Sequence, residues 1–191
     1  MKKLLVVIIV LISSASFAEN DFSVPPGYTA QILEPSGILI AKPKDWYYNK
    51  VRDNYWIISK EDSSNNNLEY DTGLKVMISK PEGTTAKEMA YGFLDFKKDD
   101  PKVKILNICD ESEAGPFQTI CIEAEEGAIY DPEGLYHVKY LLFWLSNNDD
   151  FIIVQTFGAP ANKWDEAKEY QAVMSGFKLI DITRLQDIYK N

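Results

Sequence analysis

The sequence predicts an α+β protein: an α/β/α sandwich whose central, mainly antiparallel β-sheet is covered by helices on both faces. Three observations carry that expectation. Residues 135–157 read as one long β-hairpin with a polar turn at Asn147, Asn148, Asp149 and Asp150. Within it, residues 140–144 and 151–154 are unbroken apolar runs without in–out alternation, so these strands need cover on both sides. Two segments with helical spacing, 85–98 and 163–175, can supply that cover.

Taken from the start of the chain, Lys2 and Lys3 precede an unbroken apolar stretch, residues 4–12, and then the small-x-small sequence Ser16-Phe17-Ala18. This is the pattern of a cleaved secretory signal over residues 1–18. About nine apolar residues are far short of the roughly 20 needed to span a bilayer, and no later stretch is long enough. Removing eighteen of the 191 residues leaves 173, which suits one domain with one sizeable core. The two lysines go with the signal, so the formal charge changes from −9 to −11. Such a surface repels phosphate backbones and anionic lipid, which argues against nucleic acid or membrane insertion.

Residues 19–35, with Pro25-Pro26-Gly27, read as an extended lead-in. The first strand spans 38–42 and is closed by Pro43; residues 55–59 and 74–80 read as two more. Between the latter two, residues 61–71 form a polar surface loop whose composition suggests mobility. Thr85 followed by Glu88 is a capping box, and Ala86, Met89, Ala90, Phe93 and Leu94 share one face of the helix it opens. Lys97 and Lys98 suit the end of its dipole, and Pro101 prevents continuation.

Strand-like residues 103–111 and 117–125 flank the turn Ala114-Gly115-Pro116. Pairing about that turn sets Cys109 opposite Cys121, Ile108 opposite Ile122 and Leu106 opposite Ala124. Directly opposed residues lie within bonding range, and an exported chain meets an oxidising compartment, so Cys109–Cys121 is expected to be a structural disulfide. After a loop at 127–134 and the long hairpin, the second helix should start at an Asn162 N-cap and end at Gly176. Its apolar side is Trp164, Ala167, Tyr170, Val173 and Met174. Residues 177–180 are extended, and the tail 181–191 can add a short helix through Ile182, Leu185 and Ile188.

The run from Gly37 to Trp46, with Lys42, Pro43 and Asp45 in it, and the run Met174-Ser175-Gly176-Phe177-Lys178 resemble the PsbP and Mog-type family. That family includes the photosystem II extrinsic PsbP proteins, Mog-type Ran-binding proteins and related bacterial exported proteins. The first run is similar to the family's opening strand with its proline and tryptophan, the second to its closing turn. The similarity covers residues 36–180, the sandwich domain. Asp45 stands where a glycine is common, and a disulfide hairpin is not a general family feature. The resemblance implies an α/β/α sandwich without enzymatic activity that docks to larger assemblies or partner proteins.

The search for chemistry leaves little. His137 is the sole histidine, and no nucleophile elbow, zinc-protease, P-loop or dinucleotide motif occurs. No cofactor and no metal site are expected, and no enzyme. A small hydrolase using Glu123, Glu125 or Glu126 with Asp110 or Glu111 is the catalytic alternative, since glycosidases need only two carboxyls about 5 to 10 Å apart. The acidic turns at 61–71 and 147–150 carry oxygen ligands that calcium accepts, without EF-hand spacing. The densest non-core signal is aromatic: Trp46, Tyr47, Tyr48, Tyr55 and Trp56, interleaved with Arg52, are the residue types of binding hot spots. The chain is therefore expected to be a monomeric, exported interaction protein of the periplasm or beyond, binding a partner protein or small ligand through that segment. A further secretion step as a host-interaction factor, or a structural place in a larger complex, is left open.

Overall fold

A computed structural model describes residues 22–65, 67–127, 134–146 and 148–189. The export signal expected over 1–18, most of the loop at 127–134 and Asn147 lie outside the described residues. The strands are β1 (Tyr28–Leu33), β2 (Ile38–Pro43), β3 (Tyr47–Arg52), β4 (Tyr55–Ser59), β5 (Gly73–Ser79), β6 (Val103–Ala114), β7 (Phe117–Gly127), β8 (Leu135–Leu145), β9 (Asn148–Pro160) and β10 (Phe177–Leu179). The helices are α1 (Ala86–Asp99), α2 (Trp164–Met174) and α3 (Ile182–Asp187).

Two sheets form, and this corrects the expectation of one. Seven strands pair in the order β3-β4-β5-β9-β8-β7-β6, and β1-β2-β10 make a separate three-stranded sheet. All the pairings are antiparallel. The strand at 38–42 belongs to the small sheet, and two segments read as extended connections, β1 and β10, are its flanks. Tyr47–Arg52, which carries no strand signal strong enough to assign, forms the edge of the large sheet.

The long hairpin β8–β9 does bury both faces. On one, Tyr140, Leu142, Trp144, Ile152 and Val154 pack under Ala86, Ala90 and Leu94 of α1. On the other, Phe143, Leu145, Ile153 and Phe157 share a core with Ile38 and Ile40 of β2 and with Ala167 and Met174 of α2. Cover on this second face is thus a sheet and a helix together, not a helix alone. Leu33 of β1 and Leu185 of α3 enter the same core, both fully buried, so the lead-in and the tail are packed parts of the body. The Tyr189 hydroxyl closes the tail down by donating to the Ile78 carbonyl.

Local chemistry explains most boundaries. The Thr85 hydroxyl accepts from Glu88 N and the Glu88 carboxylate accepts from Thr85 N, the reciprocal pair that starts α1. At α2 the sequence points one turn wide: Asn162 lies in a single 3₁₀ turn, Ala161–Lys163, and the N-cap is Lys163 without a side-chain bond. Ser175 caps the C-terminus of α2 in right-handed geometry, one residue before Gly176. The loop at 61–71 is tied to itself. Asp62 accepts from the Ser64 amide and hydroxyl and from Asn65 Nδ2, and Leu68 N donates to the Ser63 carbonyl.

Cys109 and Cys121 stand directly opposite, Cα–Cα 5.0 Å, and are bonded. Ile108 faces Ile122 as expected, but Ile105 rather than Leu106 faces Ala124, because a bulge at Leu106 shifts the register. A second bulge follows Cys109, so the register that aligns the sulfurs holds only around them. The twelve-residue separation closes a short loop, and the loop-entropy account gives about 3 kcal/mol for a bridge of that size. Cys109→Ala/Cys121→Ala is expected to lose that amount in denaturant titrations, and two titratable thiols in the native protein would contradict the bond.

Candidate functional site

Strand alternation divides the aromatic run. In the β3–β4 pair, Tyr48 faces Ile58, Lys50 faces Trp56 and Arg52 faces Tyr55, and directly opposed residues share a sheet face. Trp56, fully buried, and Ile58 lie on the face that packs against β2 and α2. The Trp56 indole N–H donates to the Glu34 carbonyl at 3.0 Å. Trp46 is buried too, its ring 4.9 Å from Tyr170 and 6.4 Å from Phe157 between centroids. Tyr48 is half-buried on the same core, and burial raises its hydroxyl pKa. Three of the six residues expected to bind thus serve packing.

The other three lie on the opposite face, Tyr47 at the start of β3 and Arg52 with Tyr55 at the far end of the β3–β4 pair. Tyr47 is 49% exposed, Arg52 is exposed, and Tyr55 stands beside Arg52. Val51 is the bulged residue between Lys50 and Arg52; with regular alternation through Val51, Arg52 would point to the core side like Lys50. Across β4, Tyr55 faces Met77 of β5, which is 41% exposed. Helix α1 packs chiefly on β6, β8 and β9 of this face, so Tyr47, Arg52, Tyr55 and Met77 form a strip beyond its cover.

Next to the strip lies a cluster that the sequence did not advertise. Lys75 is two residues before Met77 and so on the same face, opposite Ile57 on one side and Thr156 on the other. Its ammonium sits 5.3 Å from the centroid of the Tyr70 ring, and desolvation lowers its pKa against the raising effect of Glu126. Burial holds the Tyr70 hydroxyl well above its ordinary value, with Tyr55 and Tyr136 close enough to add to the effect. Tyr140 OH donates to Glu126 Oε1 at 2.5 Å, and Lys97 of α1 takes the other oxygen at 2.6 Å. The available signal was period two: Leu74, Val76 and Ile78 are buried, so Lys75 and Met77 must look the other way.

The carboxylates of the hydrolase reading are spread over distinct partners. Glu123 meets His137 Nε2 at 2.7 Å, and that ring stacks 3.7 Å above Trp164. Glu125 is paired with Lys104 at 2.8 Å, whose hydrogen bond holds it below the usual range. Glu126 serves Tyr140 and Lys97 under α1, while Glu111 accepts from Tyr91 and Lys87 and is also held low. Asp110 is exposed on the edge strand. A general acid must stay protonated near neutrality, and Glu125 and Glu111 are pushed the other way. Among the described residues no group of three or more acids, histidines or cysteines is arranged to hold a metal. In the 61–71 loop the Asp62 oxygens are taken by Ser64 and Asn65, and Glu61 Oε2 by the amides of Asp71 and Thr72. The side chains at 148–150 lie outside the described residues. No described helix is long and apolar enough to cross a membrane.

No protein-family model matches the chain, and no curated protein matches it. Solved structures do. The Ran-binding protein Mog1p of Saccharomyces cerevisiae superposes with a TM-score of 0.55 at 14% identity, over 85% of this chain and 99% of that one. LpqN of Mycobacterium tuberculosis, involved in cell envelope biogenesis, gives 0.55 at 13% identity, over 79% and 89%. Cyanobacterial PsbP from Synechocystis sp. PCC 6803 gives 0.50 at 16% identity, over 80% and 92%. With nearly the whole length of each matched, the two sheets and three helices described above amount to a PsbP/Mog-like fold.

Proposed function

We propose that this is a non-enzymatic, exported interaction protein that docks a partner protein through the strip Tyr47, Arg52, Tyr55 and Met77. One observation carries the reading. Arg52, Tyr55 and the exposed Met77 form one row across β3, β4 and β5, with the exposed Tyr47 farther along the edge strand, on a sheet face that α1 leaves open in a chain otherwise strongly acidic. Large amphipathic side chains around a guanidinium are the composition of an interface centre, and Arg52 would select an acidic residue on the partner. The solved structures lend support at the level of fold only: one is described as Ran-binding, another as involved in cell envelope biogenesis. The signal pattern at 1–18 and the Cys109–Cys121 bridge support an extracytoplasmic location.

The test is retention of envelope or secreted proteins on the immobilised chain. Tyr47→Ala/Arg52→Glu is the informative variant, because Tyr48 packs on the core and its removal would mix binding with stability. A protein held by the wild type and by Lys168→Ala, on the far α2, should be bound about tenfold more weakly by the strip variant. Equal retention by all three, or retention of nothing by the wild type, would overturn the strip as an interface.

A further inference from the structure

We propose that Lys75 binds the carboxylate of a monoanionic ligand whose aromatic or apolar body lies against the tyrosines around it. The inference goes beyond the docking strip and does not need it: a strip that retains no partner leaves this site standing, and the reverse also holds.

The ammonium is the starting point. Lys75 is drawn off the surface by its place between Ile57 and Thr156, yet among the described residues its ammonium has no hydrogen-bond or ion-pair partner and lies against the face of Tyr70. A ring face offers attraction without accepting all three N–H groups. The carboxylate that acts on it, Glu126, is already taken by the Tyr140 hydroxyl and by Lys97. Half-buried donors without acceptors are costly, and an incoming carboxylate oxygen would relieve that cost.

The surroundings have aromatic walls and, on the Gly158 side of the floor, room for more than a hydrogen. Gly73 and Gly158 face each other one row along from Lys75 and Thr156, so two neighbouring strands present no side chain there. A Cβ at Gly158 would meet nothing nearer than Val138 Cγ2 at 3.6 Å. Tyr70 stands over the Gly73 side, and Tyr136, whose hydroxyl donates to Asp71 Oδ1 at 3.2 Å, and Tyr140 rise from β8. A flat apolar body fits walls of this kind.

Charge selects a single negative group over a phosphate. Lys97 is paired with Glu126, and Asp71 has Lys163 at 3.9 Å, so among the described residues Lys75 is the cation of the cluster without an ion-pair partner of its own. A dianion would be neutralised only once and would then face the carboxylates of Glu126 and Asp71.

Benzoate and its uncharged counterpart benzamide are the probes, followed on the purified protein by amide NMR at constant ionic strength. Benzoate should move the signals of Lys75, Val76, Gln155 and Thr156, and benzamide should not. Lys75→Met keeps the aliphatic stem and removes the charge, and should weaken benzoate binding about tenfold with an unchanged melting curve. By linkage, saturating benzoate should also raise the titration midpoint of the Lys75 side chain, a shift that a structural lysine would not show. Should Lys75→Met lower the melting curve, that midpoint in the wild-type chain decides. Acetyl-Gly-Phe with a free or an amidated C-terminus separates the sources: tighter binding of the free peptide acid than of benzoate assigns the carboxylate to a chain end, the reverse order to a small acid. No benzoate-induced shifts around Lys75, equal binding by Lys75→Met, or equal binding of benzamide would each overturn the site.

Discussion

Replacing Trp56 with alanine is expected to cost about 4 kcal/mol of folding stability, whereas Tyr47→Ala, from the same aromatic run, should change it by less than about 0.5 kcal/mol. The contrast follows from which side of one sheet each ring occupies. Trp56 is fully buried among residues of both sheets, so truncation leaves a large cavity between layers that are each fixed by their own strand pairing. It also removes the donor to the Glu34 carbonyl, in the turn that joins β1 to β2. Tyr47 loses only a half-exposed ring at the end of an edge strand. Urea titrations of the two variants, with the slope of the transition unchanged, check both numbers. A loss below about 1 kcal/mol for Trp56→Ala, or a comparable loss for Tyr47→Ala, would mean that the faces of β3 and β4 have been exchanged. The same contrast makes Tyr47 usable in binding experiments, since its removal should not disturb the fold.

That exchange of roles shows what composition could and could not reveal. Residue types alone place Trp46, Tyr47, Tyr48, Arg52, Tyr55 and Trp56 in one patch; pairing partners sort them into two. A two-residue turn and a bulge at Val51 set the sorting, and neither leaves a distinctive spacing in the chain. Features governed by near neighbours were legible: the Thr85–Glu88 box, the apolar stripe of α1 and the opposed cysteines. The double burial of β8 and β9 was legible because unbroken apolar runs have few other uses. Sheet membership was not. Strand β2 is buried along nearly its whole length like a central strand, and its pairing with β1 and with Phe177–Leu179, far along the chain, places it in a second sheet. The Lys75 cluster stayed hidden because its members come from β5, β8, β7, α1 and a loop, and a single lysine in an apolar strand reads as a solvated face.

Gly73→Ala is expected to destabilise the protein by about 3 kcal/mol, and Tyr70→Ala should not rescue it. Gly73 begins β5 between Ser59 of β4 and Gly158 of β9. A Cβ there would lie 2.6 Å from the Ile58 carbonyl oxygen, 2.8 Å from the Tyr70 ring and 3.0 Å from Ser59 Cα. The ring can swing away, but the two backbone atoms belong to the neighbouring strand and can yield only if β4 shifts against β5. Movement of β4 carries consequences on both faces. On the core side it displaces Ile58 and Trp56; on the open side it moves Tyr55 relative to Met77, and it drives Tyr70 off its seat beside Lys75. Gly158→Ala, at the facing position, meets only ordinary contacts and should cost less than about 1 kcal/mol, so the pair separates a need for space from a preference for glycine in strands. Melting curves of Gly73→Ala, Gly158→Ala and Gly73→Ala/Tyr70→Ala test the account. Full recovery in the double variant would assign the strain to the ring, and the glycine would then be read as a seat for Tyr70 rather than as the place where two strands come closest.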